Sequence, residues 1–561
     1  MVKPCIVSLL ALSSSLSSVA AQLQPRCINT DTSRACWGNF SINTDYYATT
    51  PDTGVTREYW LSAESGLCAP DGYQRTCKTF NGTIPGPAII ADWGDNVVVH
   101  VTNNLPDNGT TVHWHGLRML NTNEFDGVPG VTQCPIAPGH TILQYGDGLF
   151  GPIILNGPAT ADYDVDLGAV FLQDWDHTDI FTLWHEAKQT GSAPPMDTGL
   201  INGTNVWDCS NTDDPACVGG GKKFEVVFEP GKKYRMRLIS SVIEGHFQFT
   251  IDNHNLTVIA NDLVPIVPYT TDSVFISAGQ RYDLIVEAAA EPGDYWLRAG
   301  WAAFCSATNM NPLNMTGIVR YDVSSQEDPT SGPTAIRRNG CGDEPIENQV
   351  PHLPVDVTSM PTIITEVLNN TLTGDDTNPF FRWTLNSSSL MLDWSNPTLQ
   401  TVLSGESLFP TGYNIVDVDH QTTSPEPEWV VLLIQDTKVM RVDHPIHLHG
   451  HDFLILYQSP QDTVWDGSTA HFNTANPARR DTATLMAAGY IALAFRLDNP
   501  GVWLCHCHLA WHASEGLSLE IVERKEDLRI GMSEESVEQS KQACGMWGSS
   551  LEVWPQDDSG I

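Results

Sequence analysis

Two histidine clusters dominate the chemistry available to this chain: HPIHLHGH at 444–451 and LCHCHLAWHASEGL at 504–517. In the second, His506, Cys507 and His508 are adjacent and follow the strand-like run YIALAFRLDNPGVWL, so alternation sends the cysteine to one face and both histidines to the other. One short peptide therefore reaches two metal sites. A thiolate with two imidazoles in a trigonal arrangement and a weak or absent axial ligand is the blue-copper pattern, and His444, Cys507 and His512 would supply it. The axial position falls ten residues after the cysteine, at Leu517, which cannot coordinate and should leave the copper potential high. Two blander readings stand beside this one. A zinc site could form from Cys505, His506, Cys507 and His508, although zinc ligands usually lie two to four residues apart. Core histidines on a buried strand would leave HPIHLHGH without a purpose.

A third motif, TVHWHG at 111–116, is expected on a strand, where His113 and His115 would face the same way and reach neighbouring metals. Together HWHG, HPIHLHGH and HCHLAWHASEGL resemble the ligand motifs of the fungal laccases, blue multicopper oxidases, and specifically their ascomycete branch. The resemblance covers nearly the whole chain. It implies copper as cofactor, four ions in the family, with His113 and His447 on the type 2 ion and His115, His449, His506 and His508 on the type 3 pair. It also implies one-electron oxidation of phenols or aromatic amines, passage of electrons through Cys507 to His506 and His508, and reduction of O2 to water.

Further roles come from the same resemblance. Glu244, in RMRLISSVIEGHFQF, stands where a carboxylate accepts the proton of a phenol; a solvated loop acid is the alternative. Asp126 stands where an acid bonds water near the type 2 copper and relays protons, or else simply forms a turn before Gly127. Ala193, Pro194, Phe381, Trp383 and Trp511 are candidate walls of an apolar substrate cleft, or plain core. The tail residues Asp558 to Ile561 would plug the tunnel toward the coppers. His100, His254 and His352 match no motif, and His451 reads as packing around the ligands.

The chain departs from the family at one place. Eight cluster histidines are needed and six are found, because the Trp-Tyr-His-Ser-His motif that normally follows CPIAPGH is missing. Here CPIAPGHT at 134–141 runs straight into ILQYGDGLFGPI, and His140 is a poor substitute for a pair. The clean join favours a deletion made by splicing or by a mis-drawn intron over a true copper-poor relative. If the deletion is real, each type 3 copper keeps only two histidines and fewer coppers can be held; a non-catalytic blue-copper electron-transfer or copper-binding protein is the alternative function. Loss of the strand should also open the first domain to solvent.

The elements that must hold these residues read as β throughout. Stretches such as TFNGTIPGPAIIADWGDNVVVHVTNNL are short strands broken by Gly, Pro and Asn turns, and the texture recurs along the chain. The expected fold is all-β, with three consecutive Greek-key sandwiches that the resemblance identifies as cupredoxin-like. Their expected limits are 22–158 (shortened), 159–340 and 341–561, after a secretory signal at 1–21. Eight Asn-x-Ser/Thr acceptors, at Asn39, Asn81, Asn108, Asn202, Asn255, Asn314, Asn369 and Asn386, agree with export to the extracellular space. The formal charge of −38 argues against nucleic acid as a partner. No later segment is apolar over the length a membrane helix needs, so no membrane partner is expected, and the protein should act as a monomer. Among the cysteines, local pairs at Cys27–Cys36, Cys68–Cys77, Cys209–Cys217 and Cys305–Cys341 are proposed. The resemblance adds Cys134–Cys544, and Cys505 remains as the odd thiol.

Overall fold

Short, largely apolar runs bounded by turn residues give strands wherever a neighbouring strand can take up their backbone hydrogen bonds. The computed structural model describes residues 27–550 apart from 107–108, 138–141, 333–339, 359–361, 376–377, 407, 420–427 and 438–439. The signal, Asn108, His140 with the CPIAPGHT junction, and the tail residues Asp558 to Ile561 lie outside the described residues.

The protein is all-β, and its larger sheets follow one another along the chain in three groups. Residues 165–320 form a six-stranded and a five-stranded sheet, as do residues 362–523. Phe247, Phe249, Leu284 and Val286 of the one group share a continuous core with Leu432, Ile434, Leu493 and Trp503 of the other.

The first group is thinner. It holds a three-stranded sheet of β1 (Thr56–Cys68), β2 (Arg75–Phe80) and β4 (Asn96–Asn103), and a two-stranded sheet of β3 (Ile89–Asp92) with β5 (Ile153–Asn156). Among the described residues β4 has a paired neighbour only on the β1 side. Trp60 and Val98 on the outward face are 63% and 41% accessible, while Tyr59, Leu61 and Val99 pack inward.

Five disulfides join Cys27–Cys36, Cys68–Cys77, Cys134–Cys544, Cys209–Cys217 and Cys305–Cys341, as expected. Cys505 and Cys507 are free and buried. Cys134–Cys544 anchors a C-terminal helix, Glu534–Ser550, that spacing arguments did not single out. No helix among the described residues is long and apolar enough to cross a membrane.

In the third group, strand β6 (Thr362–Asp375) turns Glu366 into the core, where burial pushes its carboxyl up to about 7. The folded value lies above the unfolded value of about 4.3, so the contribution of Glu366 is fully present below the unfolded value and is lost as pH rises through 7. Thermal unfolding followed from about pH 5 to about pH 8 should show a falling Tm. Glu366→Gln should flatten that slope, and an unchanged slope would exclude Glu366 as a source.

Candidate metal centre

Strand register sorts the histidines onto two faces. Strand β7 (His444–Leu448) lies between β8 (Thr482–Leu485) and β9 (Gly501–Cys507), with Ile446 opposite Cys507 and His447 opposite His506. Side chains alternate, so His444 shares a face with Cys507 while His447 shares the other with His506. Strand β9 ends at Cys507, and His508 follows with its amide donating to the Pro445 carbonyl at 2.6 Å. A single helical turn, Ala510–Ser514, then carries His512 back over the cysteine.

On the first face three donors converge. The Nδ1 atoms of His444 and His512 are 3.1 Å apart, and each lies 3.6 Å from Cys507 Sγ. Burial drives the His444 imidazole down to about 3. Burial, then His444 and His246, drives His512 well below its usual range. Both rings therefore present lone pairs. Burial also pushes the Cys507 thiol up, so the thiolate must form as the metal enters, with release of a proton. This donor set fits a blue copper. Leu517 is buried, and its carbonyl accepts from the Cys507 amide at 3.0 Å. His444 is fully enclosed while His512 is 7% accessible, which makes His512 the ring nearer to solvent.

On the second face six imidazoles pack together. His113 stacks on His449 and His115 on His447, both with centroids 3.9 Å apart, and His115 Nε2 lies 3.1 Å from His508 Nε2. Outward hydrogen bonds set the tautomers. His113 Nδ1 donates to the Asp126 carbonyl at 2.9 Å, His447 Nδ1 to the Asp481 carbonyl at 2.8 Å, and His506 Nδ1 to the Cys507 carbonyl at 2.9 Å. His449 Nδ1 donates to Asp126 Oδ2 at 2.8 Å. The Nε2 atoms of His113, His447 and His449 are buried without a hydrogen-bond partner, as a ligand cluster requires. Burial first, and then neighbouring imidazoles, lower His115 and His506 well below the usual range and His449 and His508 to about 3. The set suits cations but comprises six imidazoles, two short of the eight the resemblance implies. One group of converging donors joins His113 with both His447 and His449, so the type 2 and type 3 assignment is not separated by distance alone.

The HWHG segment corrects one expectation. Residues 111–114 are not in a strand; only Thr110 makes an isolated bridge, to Ile136. With no adjacent strand to bond, the backbone is irregular, and Asp126 and the neighbouring rings orient His113 and His115 in place of a pleat.

Asp126 is fully buried and serves two rings, with Oδ1 3.2 Å from His113 Nδ1. Burial opposes its charge, but His449 and His113 hold the carboxyl well below the usual carboxylate range. Asp126→Ala is expected to weaken metal binding at the six-imidazole cluster by about 10–100-fold. Chelator competition would measure it, with the Cys507 site unaffected as internal control. Equal affinity would mean that the imidazoles are oriented without Asp126.

Two acids with structural roles here escaped the sequence reading. Asp481 lies behind His447 and receives both Nη atoms of Arg281 at 2.6 Å. Asp174 accepts the amides of Ile243, Glu244 and Gly245 at 2.8–2.9 Å and so fixes the Glu244 loop. Each acts on residues distant in sequence, and only the charge of Arg479, Arg480 and Asp481 in an otherwise apolar region hinted at the first.

Glu244 is buried, with Oε2 lacking a hydrogen-bond partner; burial first, and then Asp174 and Glu515, push its carboxyl well up. Trp383 packs on His512 and His444, with centroids 4.6 and 5.0 Å away, and Phe381 meets Trp383 edge-on. Trp511 is almost fully buried among Ile243, Trp184 and Ala510, with Ala193 against the same cluster, and Pro194 is buried beside it in sequence. His451 pairs with Glu523 at 2.9 Å, and His254 with Tyr321 at 2.8 Å. His100 and His352 contact Glu58 and Asn43. None of these four belongs to a converging donor group.

Comparison with known proteins agrees with this geometry. Sequence profiles of the multicopper oxidases match residues 62–146, 167–324 and 391–527, and the chain belongs to the multicopper oxidase family. Within that family it is of the laccase type. It is 52% identical to Laccase-2 of Botryotinia fuckeliana across 98% of this chain and 97% of that protein. It is 39% identical to Laccase-1 of Melanocarpus albomyces across 96% of this chain and 90% of that one. The crystal structure of the laccase from Botrytis aclada matches with a TM-score of 0.90 at 52% identity, over 95% of this chain and all of that chain. The alignment with the Botryotinia protein is 579 residues long against the 561 of this chain, so that relative carries at least 18 residues with no counterpart here.

Proposed function

We propose that the protein is a secreted, monomeric laccase that takes electrons singly from phenols or aromatic amines and reduces O2 to water, with an oxygen-reducing cluster weakened by its missing ligands. The reading rests on the buried His444, Cys507 and His512 triangle, a donor set that blue copper favours. His113, His115, His447, His449, His506 and His508 would hold the remaining ions, fewer than a full cluster. When bound, copper supplies one-electron acceptance and the reduction of oxygen. The chain itself supplies the rest. Cys507 lies between His506 and His508, so one tripeptide joins the two sites covalently.

In this reading His512, the more accessible ring, faces the substrate, and Ala193, Pro194, Phe381, Trp383 and Trp511 shape the surrounding wall. Glu244 takes the phenolic proton. A carboxylate with raised proton affinity does this better, because the gap to a phenol of pKa about 10 is narrower. Asp126 holds two rings and relays protons beside the cluster. Boundaries near 158 and near 340 separate the proposed domains, and export is supported by the five disulfides.

Oxygen uptake with a phenolic dye, measured alongside copper content, tests the reading. Slow but copper-dependent uptake with more than about one copper per chain is expected. One copper per chain and no uptake would favour the second reading, a blue-copper electron carrier, which the six-imidazole cluster already makes the principal competitor.

A further inference from the structure

Residues 165–320 contribute no member to any converging donor group among the described residues, yet one of their turns reaches the imidazole cluster. Ser277 to Gln280 join the strands Val274–Ile276 and Arg281–Glu287. Gly279 in this turn has φ +75°, and a Cβ there would fall 2.6 Å from His508 Nε2. Non-bonded heavy atoms settle at about 3.5–4.0 Å. The ring has no room to retreat. The His508 amide is bonded to the Pro445 carbonyl at 2.6 Å, its Nε2 lies 3.1 Å from His115 Nε2, and the His115 and His506 ring centroids stand 5.0 and 5.5 Å away.

The turn itself is pinned. The Gly279 amide donates to the Ser240 carbonyl at 3.2 Å, and the Gln280 side-chain amide donates to Asp343 Oδ1 at 2.6 Å and to the Thr482 carbonyl at 3.2 Å. Arg281 Nη1 donates to the Gly279 carbonyl at 3.0 Å while the same guanidinium holds Asp481, whose carbonyl takes His447 Nδ1. One cation therefore joins the backbone beside His508 to the acid behind His447. Ser277 and Gln280 are fully buried, so a shift of the turn would leave enclosed polar groups unpaired. A positive φ alone favours glycine but also admits asparagine or aspartate. The distance to His508 excludes any side chain.

We propose that Gly279 is a positioning residue for His508: the bare backbone of the second strand group is the floor against which this ligand ring is set. The role rests on the reading above, in which His508 binds metal, but the packing holds without any metal. Gly279→Ala is therefore compared with the same change in a His508→Ala background, in the metal-free full-length protein. Backbone strain from alanine at positive φ is common to both, whereas the clash with the ring exists only in the first. The fall in Tm is expected to be at least about 3 °C larger with His508 present, and a single variant that fails to fold while the double variant folds has the same meaning. Equal falls, or failure of both to fold, would overturn the proposal. In copper-loaded protein, competition of copper(II) against a chelator should show Gly279→Ala weakening the six-imidazole cluster about 10–100-fold, with no further loss in the His508→Ala background and the Cys507 absorption unchanged. Undiminished copper affinity in Gly279→Ala would also overturn it. A parent protein that holds no copper at the cluster would instead refute the oxidase reading and leave the Tm comparison to decide.

Discussion

Cys507→Ser is expected to abolish the intense visible absorption of the copper-loaded protein and its phenol oxidation, while the chain stays folded. The sulfur lies 3.6 Å from both imidazole Nδ1 atoms and is completely buried. A hydroxyl in its place is a poor thiolate substitute, and copper with two imidazoles alone loses the soft ligand that gives the blue site its character. The backbone bond from residue 507 to Leu517 does not depend on the side chain, so β9 should keep its register. Burying a hydroxyl without a partner costs about 1–3 kcal/mol, small enough for a cooperative transition to survive. The six imidazoles lie on the opposite face, so copper content should fall by about one per chain, not to zero. The companion variant Cys505→Ser separates this reading from a zinc site, because Cys505 pairs with Leu448 and Leu519 and belongs to no converging donor group among the described residues. Blue absorption that persists in Cys507→Ser, or disappears in Cys505→Ser, would refute the assignment.

The blue-copper triangle was legible because it depends on strand alternation over a few residues and on a short return to His512. The register of β7 against β9 places His444 with Cys507 and His447 with His506, which period-two reasoning anticipates. The same reasoning failed for HWHG. A strand needs a partner, and a residue pattern does not reveal whether one is present. Asp126, Asp174 and Asp481 illustrate a second limit. Whether an acid near a turn is a solvated cap or a buried acceptor for imidazoles is decided by contacts hundreds of residues away, as with Asp126 and His449. The thin first strand group was anticipated only because the abrupt join after CPIAPGHT was noticed; its own composition is ordinary.

Restoring the missing stretch should have the largest gain of any change. When a segment carrying the Trp-Tyr-His-Ser-His motif that the resemblance implies is grafted between Thr141 and Ile142, copper content is expected to rise toward about four per chain and oxygen uptake to increase with it. The physical case rests on space as well as on ligands. A cavity of about 350 Å³ beside His113 and His115 is lined by Val128, before the join, and by Tyr145, after it, and has room for added side chains. At about 24 cal/mol per Å³, filling 350 Å³ has an upper limit of roughly 8 kcal/mol. Ordering the new residues at about 1–2 kcal/mol each consumes much of that, so the rise in Tm should be real but smaller than the cavity alone would give. A control insert with both histidines replaced by leucine separates the two effects. It should raise Tm like the parent insert while leaving copper content and oxygen uptake at their starting values. If the histidine-bearing insert stabilises the fold but adds no copper, the six imidazoles already present define the complete site, and the deletion is a feature of a working copper-poor protein.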